Sequence, residues 1–172
     1  MRSAWAWAAD PVSTADDAAR AAVHDLVARY AAAVDDRRFD VVADLFTDDA
    51  VLLAPDPPTA LGPTVAHDGP AAIGAAMAAL AGFTATFHAV HGVVVDLSDN
   101  ETATGRVTCT AHHMNAGGDR HRDLVWHLVY RDTYRHTGAG WRFARRELRI
   151  ISIDTANPRA VGPTVDTEEE PA

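Results

Sequence analysis

Apolar and polar positions alternate most regularly between Thr86 and Met114, in TFHAVHGVVVDLSDNETATGRVTCTAHHM. A period of two places Thr86, His88, Val90 and Val94 on one face of a first strand. On a second strand, Val107, Cys109, Ala111 and His113 share a face, with Thr108, Thr110 and His112 opposite. Ser98-Asp99-Asn100-Glu101 is turn chemistry between the two. Histidines on otherwise apolar faces of neighbouring strands point to a pocket. Upstream the period changes. AARAAVHDLVARYAAAVDD carries Val23, Leu26, Val27, Tyr30, Ala31 and Val34 at helical spacing, behind Ser13 or Thr14 as N-cap and Asp16 and Asp17 in the first turn. Tyr30 thus falls on the buried face, where a core tyrosine is the commoner case and its hydroxyl needs a partner.

A second short helix is expected over 39–46, with Phe46 at its end; Thr47-Asp48-Asp49 breaks it and a strand begins at 50–53. Residues 54–69 are rich in Pro and Gly and read as a loop able to act as a flap. A third helix is expected over 70–80. After the turn near Gly117, the stretch 122–135 reads as a long strand with Leu124, Trp126, Leu128 and Tyr130 on one face, and Val125, His127 and Val129 on the other. The last strand covers 141–153. Helices followed by a meander of strands mean an α+β fold: a curved mixed or antiparallel sheet wrapping about three helices, shaped as a cone with one open end. The expected organisation is a leader at 1–14, one domain over 15–154 and an acidic tail at 155–172.

Charge and composition narrow the function. The 172 residues carry a net charge of −9, which argues against nucleic acid as a partner. All 15 basic residues are arginine, which excludes a Schiff-base lysine and a Walker-A phosphate loop. Cys109 is the single cysteine, so no internal disulfide forms, and no apolar run approaches the roughly 20 residues that cross a bilayer. The leader lacks the hydrophobic region of a secretory signal, and a cytoplasmic location is expected, with no membrane partner. Six histidines fall between 88 and 127. Without HExxH or a His-x-His pair they do not have metal-ligand spacing, and neither a metal nor another cofactor is expected.

The stretches LVARYAAAVDDRRFD, LFTDDAVL, FHAVHGVVVDL, TCTAHHMN and LVYRDTYRHTGAGWRFARREL, in this order over about residues 20–150, resemble the SnoaL-like or scytalone-dehydratase-like branch of the nuclear-transport-factor-2-like superfamily. The resemblance implies the cone-shaped fold and a small-molecule enzyme. It also implies site residues. Tyr30 matches the tyrosine that the family's dehydratases carry on the first helix, and Asp35 an aspartate five residues later in bile-acid dehydratases. His88 matches a histidine on the first strand of the long hairpin, and His113 stands 25 residues further on, the spacing of scytalone dehydratase's second histidine. Where that enzyme has an aspartate directly after its tyrosine, this chain has Ala31, which moves the acidic role to Asp35, with Asp36 as the alternative.

Elimination of water from a hydroxylated carbonyl compound needs a base for the α-proton and an acid for the departing hydroxide. A histidine serves both in turn. In this reading Asp35 orients His88, Tyr30 donates to the carbonyl oxygen, His113 holds the leaving hydroxyl, and Trp126, Tyr130, Phe46 and Leu128 form the wall for an apolar or polycyclic substrate. The expected function is a cofactor-independent dehydratase. An isomerase or polyketide cyclase is the alternative, and a non-catalytic ligand-binding or dimerisation module the second. Apolar surface at Val125 and Val129 points to a homodimer or homotrimer. His91 is expected off the pocket face unless a bulge intervenes, His112 on the face opposite His113, and His24, His67, His121 and His136 in solvent.

Overall fold

Helix α1, Thr14–Asp35, buries Val23, Leu26, Val27, Tyr30, Ala31, Ala33 and Val34, the stripe its spacing dictates, and ends on a buried Asp35. The computed structural model describes residues 14–117 and 120–162. Of the expected leader at 1–14 and tail at 155–172, residues 1–13 and 163–172 lie outside the described residues. Helix α1 leads into a short α2, Phe39–Asp44, and strand β1, Phe46–Asp56. Then come β2, Ala60–Asp68, and α3, Gly69–Ala78, closed by a 3₁₀ turn at Ala79–Gly82. Four long strands complete the chain: β3, Ala85–Leu97; β4, Thr102–Asn115; β5, Arg122–Thr137; and β6, Gly140–Ala156.

The strands form one six-stranded sheet in the order β2-β1-β6-β5-β4-β3. All neighbours are antiparallel except β1 and β6, which run parallel, so the sheet is mixed. Helix α1 lies across the inner face against β3 and β6, while α3 packs on β1 and α2. Val107, Cys109, Ala111, Leu128, Tyr130 and Phe143 line that inner face and close the core on α1. The architecture is the α+β cone that the element order implies.

Three local expectations change. The stretch at 54–69 is not a flap: β1 runs on to Asp56, a turn with a cis Pro57–Pro58 bond follows, and β2 pairs back on β1 at the edge of the sheet. An edge strand tolerates Pro63 because its outward side has no ladder to donate to. The second helix stops at Asp44, and Phe46 opens β1 opposite Phe143, so Thr47, Asp48 and Asp49 lie inside a strand. On β3 a bulge at His91 shifts the register between Val90 and Gly92. Val93, Val95 and Leu97 consequently turn inward, and Val94, expected beside His88, is exposed on the outer face.

Tight approach is enforced at Gly105, opposite Asp132. A Cβ there would sit 2.7 Å from Cε2 and 2.9 Å from Oη of Tyr134, whose ring is fully buried. Gly105→Ala is expected to cost about 1–3 kcal/mol through overpacking, read as a lower urea midpoint in equilibrium unfolding. An unchanged midpoint would show that Tyr134 can move aside freely.

Candidate functional site

The first cluster forms where α1 ends against the start of β3. Asp35 closes α1, at the end where the helix dipole disfavours a carboxylate. Two donors from one residue compensate: the His88 backbone N–H reaches Asp35 Oδ2 at 2.7 Å, and His88 Nδ1 reaches Oδ1 at 2.7 Å. Burial opposes ionisation of Asp35, but these hydrogen bonds outweigh it and hold the carboxyl below its ordinary value. A carboxylate only accepts, so His88 carries its proton on Nδ1 and Nε2 presents a lone pair. Among the described residues nothing donates to that Nε2. Asp36, by contrast, is exposed. Of the two aspartates, Asp35 is the one that meets His88.

His113 faces His88, with ring centroids 6.1 Å apart and planes near perpendicular. The alternation on β4 holds: His113 is inside, and His112 is outside on Asp123 at 2.7 Å. His113 Nδ1 donates to the Leu124 carbonyl at 3.1 Å, and its ring lies against Trp126 at 4.5 Å and Phe83 at 5.1 Å. Burial brings its pKa down to about 4, so it is neutral at pH 7 with Nε2 as an acceptor. Trp126 adds a buried indole Nε1 with no hydrogen-bond partner.

That low pKa links His113 to stability. Below pH 6.5 the unfolded chain takes up a proton that the folded imidazole refuses until about pH 4. His113 therefore contributes fully above pH 6.5, and its contribution is lost as the pH falls through this window, by up to about 3 kcal/mol. His113→Gln, which keeps a donor for the Leu124 carbonyl, should flatten the pH dependence of the urea midpoint between pH 7 and 4.5. An equally steep profile in the variant would place the acid lability elsewhere.

The second cluster lies further along the inner face. Arg146, on β6, is fully buried and pairs with Asp132 on β5 at 3.0 Å from Nε and 2.9 Å from Nη2. Tyr134 donates to Asp132 Oδ2 at 2.8 Å. The Arg146 guanidinium carbon stands 4.2, 4.0 and 4.2 Å from the ring centroids of Tyr30, Tyr130 and Phe143. Burial opposes the charge, Asp132 more than offsets it, and the guanidinium stays protonated. Its Nη1 is buried without a partner. A buried donor left unpaired is costly, which makes it a ready contact for an acceptor on a ligand.

Tyr30 belongs to this second cluster. Its hydroxyl meets Met77 Sδ at 3.3 Å, a weak acceptor, and its ring packs on Phe46, Tyr130 and Phe143. Burial raises its pKa, so it is a donor and not a base. Leu128 fills the core between the clusters beside Cys109, whose thiol burial pushes up to about 12. Thus Asp35, His88, His113 and Trp126 stand together, while Tyr30 and Tyr130 pack on Arg146 and Phe46 packs behind Tyr30 and Phe143. Arg146 and Asp132 are functional candidates absent from the sequence reading. Two surface clefts lie elsewhere, one of about 490 Å³ on the outer face by Arg106 and Arg131, the other of about 530 Å³ between the first turns of α1 and Trp141. Neither touches Tyr30, Asp35, His88 or His113.

The remaining histidines divide. His91 lies exposed on the outer face, 2.8 Å from Thr110 Oγ1, and His127 faces Asp154 there at 3.3 Å. His24 and His136 are exposed, but His67 and His121 are half-buried, and His121 Nδ1 has no partner. His67 is screened within the β2 edge strand, which the reading of 54–69 as a loop did not provide for. No group of three or more His, Cys, Asp or Glu side chains suited to a metal ion occurs among the described residues. No helix among them is long and apolar enough to cross a membrane.

Comparison with known proteins supplies the relatives. Residues 16–147 match the SnoaL-like domain family. An uncharacterised protein of Mycobacterium tuberculosis H37Rv is 33% identical over 137 residues, covering 78% of this chain and 87% of its own. A provisionally named scytalone dehydratase of Novosphingobium aromaticivorans superposes with a TM-score of 0.71 at 21% identity, over 87% of this chain and 95% of that one. A hexachlorocyclohexane dehydrochlorinase of Novosphingobium barchaimii superposes at 0.67 with 16% identity, over 86% and 95%. At these identities the two structures attest to the shared fold.

Proposed function

This chain belongs to the SnoaL-like family of the nuclear-transport-factor-2-like superfamily, and from that premise and the site geometry we propose that it is a lyase removing water from a hydroxylated carbonyl or polycyclic metabolite. The observation that carries the reading is the Asp35–His88 pair at 2.7 Å, which leaves Nε2 of His88 as a base facing the neutral ring of His113. His88 Nε2 takes the α-proton, and Asp35 stabilises the imidazolium that results. Negative charge then develops on the substrate's carbonyl oxygen, for which Trp126 Nε1, Arg146 Nη1 and the Tyr30 hydroxyl are the available donors. The C–O bond breaks as the electron pair moves into the new double bond. His88 returns its proton to the departing hydroxide, and water leaves. His113, neutral and with Nε2 free, accepts a hydrogen bond from the hydroxyl before it departs.

The names of two structural neighbours support the reaction class, since a dehydratase and a dehydrochlorinase both eliminate a small acid or water across a carbon–carbon bond. Outside the site, Phe87, Val94 and Ile151 are large apolar residues exposed in a single chain. They support a homodimer or homotrimer that covers them.

The test compares metabolites of the native host expressing wild-type protein or His88→Ala. A precursor one water heavier than the lost product is expected. A precursor of equal mass would replace dehydration by isomerisation or cyclisation with the same base. Identical profiles would remove the enzyme reading and favour a binding module.

A further inference from the structure

Helix α1 ends in a way its sequence does not favour. Arg38 N–H bonds to the Ala33 carbonyl at 2.9 Å and Arg37 N–H to the Val34 carbonyl at 3.2 Å, the two reversed bonds of a Schellman cap. Such a cap needs one residue in the left-handed region, where glycine is the residue without a steric penalty. Here that residue is Arg37, with φ of 61°, the one non-glycine residue at positive φ among those described. A strained residue that persists points to a use for its side chain.

The use is visible. From the left-handed turn the Arg37 guanidinium reaches across to the start of β3, where Nη1 donates to Thr86 Oγ1 at 3.0 Å and Nη2 to the Phe83 carbonyl at 3.1 Å. Thr86 is fully buried. Its oxygen accepts from Arg37, and its side chain adds to the His88 contacts that hold the Asp35 carboxyl below its ordinary value. Asp35 in turn holds the backbone N–H and Nδ1 of His88. Phe83, held through its carbonyl, carries the ring that lies against His113. Both imidazoles of the site are therefore fixed from one guanidinium.

We propose that Arg37 and Thr86 are positioning residues, forming the chain Arg37–Thr86–Asp35–His88 that sets the direction of the Asp35 hydrogen bonds and so the tautomer and basicity of His88. The inference rests on the reading of Asp35 and His88 as the working pair. Its physical content is simple. A hydroxyl has one proton to give, and the Arg37 donors leave Thr86 free to aim that proton at Asp35. A carboxylate that accepts from Thr86 as well as from His88 shares its charge between them and stabilises the imidazolium less than a bare one would. The other titratable groups around the pair are His113 and Cys109, both on β4.

The test needs no substrate. Histidine ¹⁵N and ¹H resonances are followed against pH in the free wild-type protein, Arg37→Gly, Thr86→Val and the double variant. Glycine satisfies the left-handed turn, and valine keeps the volume of threonine, so folded protein is expected from both. Each single variant should raise the His88 titration midpoint by roughly 0.5–1 unit. The double variant should shift it no further than the larger single effect, because both changes break one chain. Arg37→Lys, which keeps the charge and loses the planar fork, should behave as Arg37→Gly does. Unchanged midpoints, or additive shifts with full rescue by lysine, would overturn the proposal and leave only a through-space field. Because the readout is the free protein, it stands or falls separately from the dehydratase reading, which the host metabolites decide.

Discussion

Asparagine at position 35 is expected to lower kcat by about 10³–10⁴-fold while leaving KM and the fold close to wild type. The size follows from the geometry of the pair. Asp35 accepts from both the backbone N–H and Nδ1 of His88, at 2.7 Å each, on a residue with little exposure. An amide in the same place can turn its NH₂ toward Nδ1, which forces the imidazole proton onto Nε2. The base then faces the substrate already protonated. What remains of the imidazolium's stabilisation is lost as well. The measurement is steady-state kinetics on the precursor identified from the host, with circular dichroism to show that folding is intact. Retention of more than a tenth of the wild-type kcat would mean that His88 does not need Asp35, and the base would have to be sought elsewhere.

The largest stability effect is expected at Asp132. Its carboxylate is the charged partner of a fully buried guanidinium, and it also receives the Tyr134 hydroxyl. Asp132→Ala strips Arg146 of that partner, and Tyr134 of its acceptor, at a site where water cannot take over. The expected cost is about 3–5 kcal/mol, the usual penalty for leaving one member of a buried pair behind. Removing both partners should cost less. Asp132→Leu combined with Arg146→Met replaces the ion pair by apolar volume, and the three surrounding rings supply packing for it. Equilibrium urea unfolding of the two variants decides the matter. A double variant as unstable as Asp132→Ala would show that the rings, and not the unpaired charge, account for the loss.

Much of the fold was legible because its signals are local. Helix α1 and the inner faces of β4 and β5 follow from spacing within single segments, and Tyr30, His113 and Trp126 were placed on the inside by that spacing alone. The edge strand β2 was not legible. Proline and glycine at 54–69 suppress a strand signal, and only pairing with β1 makes an edge strand of that segment.

Arg146 shows how a signal can be present and still mislead. Trp141 and Phe143 are buried, and alternation from them would carry Arg145 inward and Arg146 out. Leu148 and Ile150, on the inner face, demand the opposite phase. The two phases conflict because the register slips between Thr133 and Tyr134, and the slip decides for Arg146. A phase conflict of that kind marks a bulge, and the same conflict between Val90 and Val95 marks the bulge at His91.

Periodicity, composition and motif order sufficed for the α+β class, the family and the short list of histidines and aspartates. They act over a few residues, where chain geometry alone sets which side chains share a face. Tertiary structure alone set His88 on Asp35, Arg146 on Asp132 in the core, and Arg37 across to Thr86. Those choices join residues 53, 14 and 49 positions apart in the chain. They depend on the closing of the sheet over α1, which excludes water and leaves each buried charge to the partner that packing brings within reach.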